Sequence, residues 1–268
     1  MNTAYATTDG DTGIPFRLET DRKITEADIT TFQLSIEDIT DCGKALIAPS
    51  PGIVTYLAAY GAQYGVIAGF VALAVVGLLL NAAVDWFLNA ISFPSLLLLW
   101  RIILVLVFLV ATIALGAVFM ILNGTAHLSL IRCLRGERVP LGKDWFLPPT
   151  EFIPHFLYYQ TAVFVVAILP FIIIFPLIWV IPILLCFING SFMYLMAGQP
   201  TLGLFAVVKL SVMGGLRNWQ MMLIVCGINL AGFFISQFIP VVYIVVVPFT
   251  SLVGLVYASK MFGGYLSQ

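Results

Sequence analysis

Residues 66–80 read VIAGFVALAVVGLLL and residues 95–122 read SLLLLWRIILVLVFLVATIALGAVFMIL, and these two stretches decide the fold class. The first contains no charged residue, and the second contains only Arg101. About 20 apolar residues in a helix cross the hydrocarbon core of a bilayer, whereas each strand of a membrane β-barrel alternates apolar and polar positions over about 10 residues. The two stretches do not alternate. They therefore predict membrane-spanning helices.

The composition of the whole chain agrees with this prediction. Of its 268 residues, 61% are hydrophobic and 9% are charged, whereas a soluble globular protein carries about 25% charged residues to cover its surface. This balance excludes a water-soluble globular protein. We predict an all-α, polytopic membrane helical bundle whose first partner is the lipid bilayer.

The apolar sequence is long enough for six spans in three hairpins. Residues 158–197 are apolar for about 40 residues, roughly 60 Å of helix or twice a hydrocarbon thickness, so they must contain two spans. Proline breaks a helix, and we place the bend between these spans among Pro170, Pro176 and Pro182. The other predicted spans are 64–88, with a start as early as Ile53, then 95–122, 219–238 and 241–262. Residues 199–218 are amphipathic and predict an interfacial helix.

Residues 1–52 form a predicted acidic N-terminal tail, and residues 53–268 form the transmembrane domain. Nine of the 13 acidic residues lie between Asp9 and Asp41. Thr25 and Asp28 have the spacing of a capping box, and Gly43 suits a helix end. We therefore predict a surface helix from Thr25 to Gly43. Its apolar face carries Ile29, Phe32, Ile36 and Ile39, and its acidic face carries Glu26, Asp38 and Asp41.

The basic residues predict the orientation, because cytoplasmic loops retain Lys and Arg. Apart from Arg101, they lie in the tail, between spans two and three, between spans four and five, and near the C-terminus: Arg17, Arg22, Lys23, Lys44, Arg132, Arg135, Arg138, Lys143, Lys209, Arg217 and Lys260. The opposite turns contain none. We predict a multi-pass protein of the plasma or inner membrane with both termini in the cytoplasm.

Two polar groups and one glycine pattern are candidate functional features of the spans. Arg101 is the only basic residue deep in a span, and Asp85, before the same turn, is its natural partner in a structural ion pair or in a charged site on a transport path. Gly61, Gly65 and Gly69 recur every four residues, which favours close helix packing within the bundle or in an oligomer. Four amides could bridge helices or line a polar cavity: Asn81, Asn189, Asn229 and Gln237.

No catalytic, metal-binding or cofactor-binding motif is present in the sequence. The two histidines, His127 and His155, fall between spans two and three with Glu137, Asp144 and Glu151, but their spacing matches no H-E-x-x-H pattern. The four cysteines are dispersed and form no C-x-x-C pair. We expect no cofactor, no metal and no nucleic-acid partner.

Short motifs in the second half of the chain resemble those of prokaryotic membrane families without assigned activity. The motifs are Ala206-Val207-Val208-Lys209-Leu210-Ser211, Arg217-Asn218-Trp219, a last span with Pro248 and Tyr257, and Arg135-Gly136-Glu137. These families are similar to the membrane-anchor domain of glycerophosphodiester phosphodiesterases. The resemblance implies six spans. The soluble phosphodiesterase domain is absent, so no catalytic role is carried over.

Three functions remain open from the sequence. The first is a scaffold or accessory subunit of a membrane complex, with a protein partner or a second copy of the chain. The second is a small-molecule or ion transporter or channel, for which the proline-rich spans could be broken helices. The third is a lipid-acting membrane enzyme that uses His127 or His155 with a carboxylate.

Overall fold

The computed structural model describes residues 14–19, 24–48, 51–90, 94–137, 150, 153–154, 157–158, 191, 193–195, 202–238 and 243–267. This part of the chain is mostly helical. Its helices are α1 (Ile36–Ile47), α2 (Pro51–Ala90), α3 (Pro94–Leu134), α4 (Leu204–Arg217), α5 (Trp219–Phe238) and α6 (Tyr243–Met261), with a 3-10 turn at Glu26–Asp28. Two short strands, β1 (Phe16–Leu18) and β2 (Tyr265–Ser267), form a ribbon. The predicted spans three and four, and most of the loop before them, lie outside the described residues.

The two stretches that open the sequence lie on α2 and α3, which form a long antiparallel hairpin. The predicted turn after Asn89 agrees with the structure, since α2 ends at Ala90 and α3 begins at Pro94. Both helices begin with proline, which lacks an N–H and therefore fits the first helical position. Residues Tyr56–Ala90 and Ser95–Leu134 are long and apolar enough to cross a membrane, with mean hydropathy of 2.4 and 3.1 in their most apolar windows. These two helices indicate membrane association.

The exposure of the hairpin's side chains differs between its two ends. We call residues 67–90 and 94–121 the arm. In the arm almost every described side chain is exposed or half-exposed, including Leu78 at 71% and Val110 at 66%. Residues 51–66 and 122–134, by contrast, contribute many buried side chains, such as Tyr56 and Leu130. Among the described residues, the end of the hairpin far from its turn is therefore buried by other segments, whereas the arm is largely uncovered.

The end of the hairpin far from its turn packs into the hydrophobic core. We call this region the base, formed by residues 14–48, 51–66, 122–134, 202–218 and 250–267 where described. Its fully buried side chains come from the N-terminal segment, both hairpin helices and the end of α6, for example Phe16, Tyr56, Ile131 and Phe262. Residues 14–48 thus share one core with the predicted transmembrane domain.

The N-terminal helix differs from its prediction. Thr25 and Asp28 do form the predicted capping box, with the Thr25 N–H 2.8 Å from Asp28 Oδ2, but the turn ends at Asp28. The longer helix α1 begins after Ser35, which forms a second capping box with Asp38, and it continues through Gly43 to Ile47. Because residues 29–35 are not helical, the predicted apolar face does not exist.

The buried face of α1 is instead made by Asp38, Cys42 and Ala45, at helical spacing. Ile36, predicted to be on the apolar face, is 84% exposed, and Asp38, predicted to be on the acidic face, is buried. The local pattern placed the start of the long helix one capping box too early, and it assigned the buried face of the helix to the wrong residues.

Strands β1 and β2 join the two ends of the described chain. They pair antiparallel, with Phe16 opposite Ser267 and Leu18 opposite Tyr265. The chain reaches β2 from α6 through Gly263, whose φ of 73° favours glycine. The ribbon therefore fixes the N-terminal segment beside the end of α6.

Helices α4, α5 and α6 lie close to their predicted bounds. The residues predicted as an interfacial helix, 199–218, contain α4, and those predicted as spans, 219–238 and 241–262, contain the helices α5 and α6. Both α5 and α6 contain shorter apolar stretches, Trp219–Gly232 and Val245–Met261. A single residue, Asn218, separates α4 from α5.

Candidate functional site

The arm brings together the two charged residues that the sequence paired. Asp85 lies five residues before the end of α2 and Arg101 seven residues after the start of α3, so the antiparallel register places them at one level. Arg101 Nη2 is 3.4 Å from Asp85 Oδ2, and the Asn81 amide donates to the same oxygen at 3.2 Å. The Arg101 side chain is 57% exposed and that of Asp85 is 25% exposed. The ion pair is long and leaves most of the guanidinium donors uncommitted among the described residues.

An apolar groove begins at this ion pair. It has a volume of about 540 Å³ and runs between the two helices away from the hairpin turn. Its lining residues recur at helical spacing on both sides: Ala74, Gly77, Leu78 and Asn81 on α2, and Arg101, Leu104, Val105 and Phe108 on α3. Asp85 does not line it. One charged group, Arg101, and one amide, Asn81, thus lie at the end of a groove whose other lining residues are apolar.

Gly77 is the closest described contact between the two helices at a glycine of this groove. A Cβ atom added at Gly77 would overlap the ring of Phe108, so the absence of a side chain lets the two helices approach closely. The structure thus identifies Gly77 as a packing glycine that the four-residue pattern of the sequence did not include.

The predicted glycine face behaves differently. A Cβ atom at Gly69 would lie 3.9 Å from Leu115, an ordinary contact, whereas at Gly61 or Gly65 it would meet no atom within 4 Å in the part of the chain that the structure describes. Gly61 and Gly65 are also exposed. Packing of this face within the bundle and packing in an oligomer both remain predictions.

The predicted cavity amides are not brought together in the described residues. Asn81 bonds to Asp85, and the Asn229 amide donates to the Val225 carbonyl of its own helix at 2.9 Å. Asn189 and the side chain of Gln237 lie outside the described part of the structure. The polar cavity remains a prediction.

The most connected polar residue of the base is Asn218, which the sequence analysis did not propose as a site. Its side chain is buried and bridges α4 to the extended segment before α1. The amide donates to the carbonyls of Thr30 at 2.8 Å and Gly214 at 3.1 Å, and its oxygen accepts from the Phe32 N–H at 3.2 Å. Next to it, Arg217 donates to the Ile29 carbonyl at 2.8 Å. Residues 217 and 218 thus hold the N-terminal segment in place.

A second polar contact of the base joins α1 to α6. Lys260 Nζ is 2.6 Å from Asp38 Oδ1, with the Asp38 side chain 8% exposed and that of Lys260 18% exposed. The other oxygen, Asp38 Oδ2, accepts from the N–H and hydroxyl of Ser35. Burial raises the pKa of Asp38, but the bonds from Lys260 and Ser35 lower it more, so this pKa lies below its usual 3.8. One carboxylate therefore caps α1 and ties it to the last helix.

The contacts around Thr30 complete this link. The Thr30 N–H donates to the Met261 carbonyl and its hydroxyl to the Lys260 carbonyl, each at 2.8 Å. Lys260 Nζ also lies 4.6 Å from the centre of the Tyr265 ring. The pairing of residues more than 200 positions apart has no local sequence signal.

The described histidine and cysteines are buried. His127 is buried, with Nδ1 2.8 Å from the Asn123 carbonyl of its own helix, and it makes no described carboxylate contact. His155, Asp144 and Glu151 lie outside the described residues. Burial raises the pKa of the Cys42 thiol to about 12, with smaller contributions from Asp38 and Asp41. No group of three metal-ligating side chains occurs among the described residues.

Comparison with known proteins adds no relative. No family model, no curated protein and no solved structure matches this chain.

Proposed function

We propose that this protein is a multi-pass membrane protein that acts as a scaffold or accessory subunit of a membrane complex. The observation that carries the proposal is the arm, whose apolar side chains remain exposed along both helices. An apolar surface of this extent is stable only against lipid or another protein.

The dimensions of the arm support a membrane crossing. Residues 67–90 span 24 positions, about 36 Å of helix, which exceeds the roughly 30 Å of a hydrocarbon core by only a few ångströms. Helix α5 has 20 residues, about 30 Å, and also fits one crossing. The remaining residues of α2 and α3 lie in the base, where other segments of the chain bury many of their side chains.

The ribbon supports an even number of spans. Because β1 pairs with β2, and Asp38 with Lys260, the segments before α2 and after α6 lie on the same side of the membrane. An even number of crossings must therefore connect them. Helices α2, α3, α5 and α6 provide four, and the 40 apolar residues at 158–197 supply two more in our proposal.

The charges of the base support a cytoplasmic location for both ends. Lys44, Lys209, Arg217 and Lys260 are described at or beside the base, whereas the arm carries only Arg101, paired with Asp85. Under the positive-inside rule the end of the base that carries these basic residues faces the cytoplasm of a plasma or inner membrane, and the apolar residues 243–259 of α6 lie at membrane depth in our proposal.

A scaffold role follows from where the exposed surface lies. In the described part of the N-terminal tail, apolar residues such as Ile14, Phe16 and Ile29 pack in the core of their own chain. The arm is then the surface on which a partner would dock. The transporter and lipid-enzyme hypotheses, and the resemblance to anchor families, are supported by no described contact.

Site-specific photo-crosslinking tests this proposal. A photoreactive amino acid is placed at Leu79 or Val110 in the arm, neither of which lines the groove, and, as the control, at the buried Tyr257. In native membranes we expect a discrete protein adduct from the arm positions and none from position 257. Adducts with lipid alone at every arm position would overturn the scaffold role, and release of the protein from membranes by alkaline carbonate would overturn the membrane location.

A further inference from the structure

The groove beside Arg101 has the shape and charge of a lipid site, and we propose that it binds one membrane phospholipid. In this site the phosphate lies against the Arg101 guanidinium and one acyl chain lies in the groove between α2 and α3. The proposal rests on the membrane-spanning arm of the proposed function and names a specific ligand for it.

The first argument is chemical complementarity. Arginine presents five N–H donors in a fork that matches phosphate oxygens. The ion pair with Asp85 uses Nη2 of Arg101, at 3.4 Å, and 57% of the Arg101 side chain is exposed. Because Asp85 does not line the groove, its carboxylate does not occupy the groove side of the guanidinium. Arg101 therefore has donors available for a phosphate.

The second argument is the order of polar and apolar groups along the hairpin. Arg101 lies about 10 Å from the hairpin turn, so its long side chain can extend towards the interfacial layer where phosphates lie. The groove continues from Arg101 in the opposite direction, towards Ala74 and Phe108, into the part of the arm that we place at hydrocarbon depth. A phospholipid has the same order, with the phosphate outside and the acyl chain inside.

The third argument is the shape of the groove. Its volume of about 540 Å³ falls within the roughly 300–1,000 Å³ that is usual for small-ligand sites. The close approach at Gly77 makes the seam between the helices a continuous surface, with Ala74 as a second small residue along it. The seam can thus hold an extended chain, which a flat helix surface cannot.

The test counts phospholipids that remain bound to the protein. The full-length protein is reconstituted into nanodiscs of phosphatidylglycerol, phosphatidylcholine or both, released into the gas phase and weighed by native mass spectrometry. We expect one retained phospholipid per chain for the unaltered protein. We expect Arg101→Gln to reduce this retention about tenfold or more, which corresponds to one lost charge-assisted contact of about 1.4 kcal/mol.

Two further variants separate lipid binding from a purely structural ion pair. Ala74→Phe fills the groove without touching the charges, and it should reduce retention as strongly as Arg101→Gln. Ala72→Phe is the matched control, since Ala72 is exposed on the same helix but does not line the groove. Asp85→Asn removes the competing carboxylate and should keep or increase retention. If Arg101→Gln does not fold, the comparison of Ala74→Phe with Ala72→Phe still decides the question.

The outcomes distinguish this inference from the proposed function. Equal retention in all variants of a protein that resists carbonate extraction would overturn the lipid site and leave the membrane assignment intact. Equal loss with Ala74→Phe and Ala72→Phe would also overturn it. If the protein is extracted by carbonate, the membrane assignment fails and the lipid site fails with it.

Discussion

The base and the arm are both built from helices, but their side chains lie in different surroundings. In the base, polar side chains such as Asn218 and Asp38 are buried and bonded across elements that are distant in sequence. In the arm, apolar side chains are exposed, and the described contacts between the two helices include one ion pair, Asp85–Arg101. The difference indicates that the base is stabilised by its own chain, whereas the arm depends on a surrounding lipid or protein. Substitutions in the two regions should therefore respond differently to the environment.

The largest effect is expected at Asn218 in the base. Asn218→Ala removes three hydrogen bonds and leaves the Phe32 N–H and the Thr30 carbonyl without this partner, so we expect a loss of about 3 kcal/mol in the free energy of unfolding. Chemical unfolding in detergent, followed by tryptophan fluorescence, measures it. Asn229→Ala is the control, because it removes only a bond to a carbonyl of its own helix and should cost well under half as much. Equal losses would contradict the role given to Asn218.

A somewhat smaller effect is expected at Gly264, beside the ribbon. A Cβ atom there would overlap the Tyr194 hydroxyl and the Glu19 carbonyl, so Gly264→Ala should lower the free energy of unfolding by about 2 kcal/mol through overpacking. Gly61→Ala, where the added methyl meets nothing described, should be neutral or slightly stabilising, because alanine favours a helix. The same unfolding experiment compares them, and a neutral Gly264→Ala would show that the ribbon does not hold the two ends together.

The link between α1 and α6 should make the base sensitive to acid. Because the folded-state pKa of Asp38 is lowered, its contribution is complete above about pH 4 and is lost as the pH falls through the folded value. At pH 7 we expect Asp38→Asn to cost about 2 kcal/mol, between the values for exposed and fully buried pairs.

Thermal unfolding at pH 7 and pH 3 measures this dependence. The unaltered protein should lose stability at the lower pH more than Asp38→Asn does. Asp41→Asn is the matched control, because the ion pair described for Asp41 is with Lys44, whose side chain is 59% exposed, and it should change neither the melting temperature at pH 7 nor the pH dependence. Identical behaviour of the two variants would show that the pair with Lys260 contributes nothing.

The smallest effect is expected in the arm, and it should depend on the surroundings. Gly77→Ala forces the Phe108 ring away from α2, at a cost of about 1 kcal/mol, whereas Gly65→Ala adds a methyl in open space. We expect the cost at Gly77 to be larger in lipid nanodiscs than in detergent, where the helices can separate more easily. Thermal unfolding in both media tests this, and a cost that is unchanged between them would mean that the arm is as self-supporting as the base.

The hairpin could be predicted from the sequence because its signal is local. Apolar stretches of more than 20 residues, separated by a short segment that ends in Pro94, determine two helices and a turn. The same rule placed α5 at its observed bounds, and the pairing of Asp85 with Arg101 follows from an antiparallel register around one turn. The groove could not be predicted, since it depends on which faces of the two helices meet.

The base could not be predicted because its contacts join residues that are far apart in the sequence. A strand of three residues, such as β1, has no periodic pattern, and its partner lies about 250 positions later. The two capping boxes, at Thr25 and at Ser35, look alike locally, and only packing against α6 shows which one begins the longer helix. In the sequence Asn218 belongs to a short motif, but its bridging role is visible only from its hydrogen bonds to the N-terminal segment.

Single-cysteine accessibility in sealed native membranes most directly tests the division into base and arm. With Cys42, Cys133, Cys186 and Cys226 replaced, a cysteine is placed at Thr40 or Leu266, exposed in the base, or at Leu79, exposed in the arm. The account predicts that a membrane-impermeant maleimide labels positions 40 and 266 from the same side of the membrane, and labels position 79 only after denaturation. Rapid labelling of position 79 in intact membranes, or labelling of positions 40 and 266 from opposite sides, would contradict it.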